Sequence, residues 1–144
     1  TEAANRWQGI YQERQTRQQA TIVAYDAVRV KPKDNTARRK LARLLAGQGD
    51  TVGAARQHAA ALRLAQDAPP VLAAVAEDLI AVGKNEEALL LADRAASFAG
   101  GSVQAQETLG NALLANGRAR EAAVAYSKVA SSRPDRYDAL MAKL

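Results

Sequence analysis

His58 is the chain's single histidine, and no cysteine accompanies it. Imidazole proton transfer, thiolate attack and transition-metal ligation draw on those two residue types. A nucleophile triad or a metal cage therefore has too few members to assemble. His58 is expected as a packed or partly exposed core histidine. Glu86 and Glu87 are adjacent carboxylates, but neighbours on a helix point about 100° apart. They suit the first turn of a helix, where negative charge is favourable, better than they suit general acid/base work. Gly47-Gln48-Gly49 followed by Gly53 fits neither nucleotide fingerprint: no strand-like run precedes it and no Lys-Ser/Thr pair follows. The reading is that the chain is not an enzyme and takes no cofactor and no metal.

The strongest local charge signal is Arg38-Arg39-Lys40 with Arg43. Such a run can be a solvated helix face. It can also be a docking point, because arginine forks grip carboxylates bidentately. The net charge is +5 and the sequence pI about 9.8. Its distribution is uneven: +2 over 1–34, +4 over 35–68, −3 over 69–102 and +2 over 103–136. Nucleic-acid binding needs several phosphate contacts along a stripe, and the acidic third stretch interrupts one. A protein partner ranks above nucleic acid for that reason. No apolar run approaches the roughly 18–20 residues of a membrane span, and no signal peptide is visible. The chain starts at Thr1 and ends inside a helix-like stretch, which reads as a piece of a longer protein.

The elements that position these residues follow from a period. Gly49, Gly83 and Gly117 recur every 34 residues. Alanine follows five later at Ala54, Ala88 and Ala122, and a small apolar residue seven after that at Ala61, Ala95 and Val129. A fixed period of this length marks stacked helical units. Apolar residues make up 48% of the chain and aromatics only 4%, with alanine abundant. Small side chains let helix axes approach, so the composition favours helix on helix over sheets.

Four 34-residue units, 1–34, 35–68, 69–102 and 103–136, bring this phasing out. Position seven holds Trp7, Leu41, Val75 and Leu109, and position eleven Tyr11, Leu45, Leu79 and Leu113. Position eight is small at Ala42, Ala76 and Gly110. These share one stripe of a first helix. Positions twenty and twenty-seven, including Ala20 and Ala27, share a face of a second. The glycines end the first helices in the left-handed conformation. Pro32, Pro134 and Pro69-Pro70 mark unit boundaries. In unit 1–34 the turn would be Arg14-Gln15-Thr16-Arg17, without glycine. That stretch is either a repeat with a degenerate turn, the reading preferred here, or one long helix. Residues 137–144 place Tyr137, Leu140, Met141 and Leu144 at helical spacing and read as a truncated capping helix.

These residues resemble the tetratricopeptide repeat (TPR) family, whose units are 34-residue antiparallel helix pairs. Residues 103–136 match best, through Leu109-Gly110-Asn111-Ala112, Gly117, Ala122, Tyr126 and Pro134. The resemblance is strong over 35–136 and weaker over 1–34, where position eight is Gln8. It implies an all-α, right-handed α-solenoid. It further implies that first-helix positions two, five, nine and twelve line a concave groove. Those positions give a candidate partner surface of Arg39, Arg43, Glu77, Ile80, Gln104, Glu107 and Asn111, with Thr36, Ala46, Pro70, Ala73 and Leu114 beside them. On that basis Arg39 and Arg43 would take an acidic segment, and Asn111 would offer a donor and an acceptor to a peptide backbone. One family subtype clamps a C-terminal carboxylate, but Ala74, Gln104 and Thr108 depart from its pattern, so that activity is not expected.

The expected function is a non-catalytic protein–protein interaction scaffold. The alternative is a structural segment of a bacterial envelope, pilus, secretion or exopolysaccharide-export assembly. The alanine- and arginine-rich composition points to a bacterial source, with cytoplasm and periplasm both open. Self-association also stays open, while a small-molecule substrate and direct membrane insertion are not expected.

Overall fold

The computed structural model describes residues 1–98 and 102–144, so the end of the expected third unit, 99–101, lies outside the described residues. Among the described residues it holds eight helices and no strand: α1 (Glu2–Val30), α2 (Asn35–Gly47), α3 (Thr51–Leu64), α4 (Pro69–Ala81), α5 (Asn85–Ser97), α6 (Val103–Ala115), α7 (Ala119–Ser127) and α8 (Pro134–Met141). The chain divides into two compact units, Thr1–Leu64 and Ala65–Leu144. None of the described helices is long and apolar enough to cross a membrane.

In the first unit α2 and α3 form a hairpin, and the C-terminal half of α1 lies along α2. Its core is Ala24, Leu41, Ala42, Leu45 and Ala54. Asp34 caps α2 by accepting from the Ala37 amide at 3.0 Å, satisfying one of the orphan donors of the first turn. At the other end Gly49 takes φ +85°, its amide donating to Ala46 O while the Asp50 amide donates to Leu45 O. That pair of bonds is a Schellman turn, and it needs a left-handed residue. The same pattern closes α4 at Gly83 (φ +78°) and α6 at Gly117 (φ +74°). The 34-residue period is thus a repeated backbone event.

The turn expected at Arg14–Arg17 does not form. Residues 2–30 make one 29-residue helix, so the preferred reading of a first helix pair is replaced by the long-helix alternative. Residues 12–20 are rich in glutamine and arginine, good helix formers, with no glycine or proline to break the run. Trp7 and Tyr11, expected to pack, are 72% and 61% exposed because the first half never folds back. Ala27 is likewise exposed, and Thr21 and Ala24 are buried in its place.

The second unit pairs α4 with α5 and α6 with α7, with α6 also packed on α4 and α5. Alanine lines the seams: Ala73, Ala76, Ala88, Ala92, Ala95, Ala105, Ala112 and Ala122 are all fully buried or within 1% of it. Helix α7 is short, and Val129, expected on it, lies in the turn just beyond, still fully buried. The tail helix starts at Pro134 and ends at Met141, a turn earlier than the spacing implied, and Leu144 is exposed. Leu140 is fully buried against Tyr126 and Val129, so α8 packs on the last hairpin.

Candidate functional site

Helix α2 carries the basic residues. Arg39 is half-buried and Arg43 exposed, four residues apart and therefore on one face. The neighbouring Arg38 has a different task. Its Nε donates to Pro32 O at 2.9 Å and its Nη1 to Gln57 Oε1 at 3.0 Å, tying α2 to the preceding loop and to α3. The basic run therefore holds one arginine that ties α2 to its neighbours, with Arg39 and Arg43 one turn apart on the same helix. Thr36 beside them is exposed.

The remaining candidates belong to the second unit: Glu77 and Ile80 on α4, Gln104, Glu107 and Asn111 on α6. The Asn111 amide donates to Glu77 Oε1 at 3.0 Å, an interaction spanning one repeat period. Its carbonyl oxygen accepts from Tyr126 OH at 2.7 Å and from Lys143 Nζ at 3.2 Å. Asn111 Oδ1 thus has both lone-pair directions taken internally. That corrects the expectation of an acceptor free for a peptide backbone. Glu107 is engaged as well, held by the Arg136 guanidinium fork, with Nε donating to Oε2 at 3.0 Å and Nη2 to Oε1. Ala73, expected beside this surface, is buried. Ile80 is half-buried and Gln104 exposed.

Tyr126 sits at the centre of this network. Burial, with the charges of Glu107 and Glu77 adding to it, pushes its phenol up to about 12. The hydroxyl therefore stays protonated and donates to Asn111 throughout the neutral range. Gly110 makes room for the ring, since a Cβ there would overlap Tyr126 side-chain atoms. A second polar bridge links the turns of the two hairpins. Asn116 Nδ2 donates to Asn85 O at 2.8 Å, and Asn85 Nδ2 to Ala115 O at 3.1 Å. Alignment of positions nine in successive units, Glu77 and Asn111, was available in the sequence. Arg136 and Lys143 were not, because they come from α8 and from the turn after it.

His58 is buried on α3, in agreement with a packing role. Asp78, also buried, was not singled out from the sequence. Among the described residues no group of three or more histidine, aspartate or glutamate side chains is arranged to hold a metal ion.

No family model and no curated protein sequence matches the chain. Among solved structures it is similar to PilF of Pseudomonas aeruginosa, a TPR-containing protein, with a TM-score of 0.67 over 99% of this chain at 19% sequence identity. The chain spans 66% of that structure's length. At this identity the likeness shows the fold: TPR-like helix pairs, as the 34-residue period predicts.

Proposed function

We propose that the chain is a non-catalytic protein-interaction module, and that the α2 surface of its first unit docks an acidic segment of a partner protein. The observation that carries this reading is the placement of Arg39 and Arg43 one turn apart on α2, with Arg43 exposed. A helix held by the Asp34 cap, the Gly49 turn and the Arg38 ties presents them with little freedom left to lose on binding. Arginine suits carboxylates through paired N–H donors, which a solvated lysine cannot match. In the second unit Glu77, Glu107 and Asn111 serve mainly to hold α4, α6 and the tail together. Gln104 and Ile80 are the candidates there with surface left to offer.

A fluorescein-labelled octaglutamate peptide is the probe. Reversing both arginines, Arg39→Glu with Arg43→Glu, should weaken its binding at least about tenfold with an unchanged circular-dichroism spectrum. Equal affinity for the double variant would remove the reading.

A second reading, a structural segment of a pilus, secretion or export assembly, takes its support from the resemblance to PilF. It places the same surfaces against neighbouring subunits of the assembly.

A further inference from the structure

The first half of α1 is a helix without a core. Every residue from 1 to 19 is exposed, although isolated helices of about 12–15 residues are marginal in water without packing. Its side chains are not those of a solvated spacer. Ala3, Trp7, Ile10, Arg14, Arg17, Thr21, Ala24 and Val28 alternate at steps of four and three, the heptad spacing of a packing seam. The C-terminal end of that seam is already used: Thr21 and Ala24 are buried and Val28 is half-buried, with Ala24 and Val28 in the core of the first unit. The N-terminal continuation leaves Trp7 72%, Tyr11 61% and Ile10 43% exposed. A shallow groove beside it is lined by Ile10, Glu13, Arg14, Arg17, Gln18 and Gln48.

The flanking charges identify the occupant. Arg6 and Glu13 lie one heptad apart on the same side of the seam. When two such helices pair antiparallel, that side faces itself across the two-fold axis. Arg6 then meets the partner's Glu13, and Glu13 meets the partner's Arg6. In a parallel pair Arg6 would face the edge that carries Tyr11, and the charges would go unmatched.

We infer that the exposed Trp7–Ile10–Tyr11 face of α1 pairs with the same face of a second copy of this chain, antiparallel, with reciprocal Arg6–Glu13 contacts. This interface does not depend on the α2 reading. Two helix faces of about 15 residues fall below the area of a standard stable interface, so the dimer is weak and concentration-dependent.

Sedimentation equilibrium of the whole chain, from about 1 µM to about 1 mM, should show a monomer–dimer equilibrium. Trp7→Ala should weaken it about 30-fold or more, as loss of a central aromatic anchor does. Glu13→Arg alone should weaken it at least about threefold by setting like charges opposite, and Arg6→Glu with Glu13→Arg should restore it to within about twofold. The charge variants test the pairing even if Trp7→Ala lowers helicity. A monomer at every concentration overturns the inference and gives the face to a different protein. So does a dimer indifferent to Trp7→Ala and Glu13→Arg, or one that the reciprocal charge swap fails to restore.

Discussion

Gly110 and Tyr126 show how one residue type can depend on another sixteen positions away. The Tyr126 ring is fully buried and rests where the Gly110 side chain would be. Gly110→Ala forces the ring or α6 to move, and should cost about 1–3 kcal/mol by overpacking, read as a lower midpoint in urea. An unchanged midpoint would mean the ring has room to shift. The Tyr126 phenol also couples stability to alkaline pH. Its folded value, about 12, lies above the ordinary tyrosine value near 10. A raised value favours the protonated form in the folded state, so the contribution is complete below pH 10 and is lost as pH rises toward 12. The melting temperature should fall across that window, by the equivalent of about 2–3 kcal/mol, and the fall should shrink in Tyr126→Phe. From the sequence, Gly110 was legible as a small residue at position eight, and its reason was not. Spacing gives the register of a side chain, whereas the volume of the ring above it is a property of the packed hairpin.

At the scale of helices, alanine at position twenty decides how closely a second helix can nest on the first. Ala88 is fully buried on α5. Ala88→Leu inserts three carbons into that seam and should destabilise by at least about 1–3 kcal/mol, seen by thermal melting followed at 222 nm. Unchanged melting would count against its buried assignment. The helix pairs from α2 to α7 were legible because each has a backbone requirement, a left-handed glycine, that only certain residues meet. The first 34 residues were harder to read. Trp7, Tyr11 and Ala20 keep the spacing of a repeat, but spacing alone does not turn a chain. Without a glycine at Arg14–Arg17 the helix propensity of the glutamine-rich stretch wins, and α1 runs through. The short α7 was also hidden, because Val129 stays buried whether it sits on a helix or in the turn after one.

For the whole molecule, each of the two units has its own alanine- and leucine-rich interior, and function falls to what the surfaces carry. The basic α2 residues were visible as a run in the sequence, but the ties that Arg38 makes were not. Only the folded hairpin shows it bound to Pro32 and Gln57. Likewise Glu107 and Asn111 of α6 looked like partner contacts until α8 and the turn after it supplied Arg136 and Lys143 as their neighbours. The surface we propose for an acidic partner is therefore smaller than spacing alone implied, and it centres on α2.

Amide chemical-shift mapping of the 15N-labelled chain during titration with octaglutamate tests that claim most directly. Saturable shifts clustered at Thr36–Ala46 of α2, lost in the Arg39→Glu and Arg43→Glu double variant, are the expected result. No saturable shift on α2, or shifts confined to α5 and α7, would contradict it.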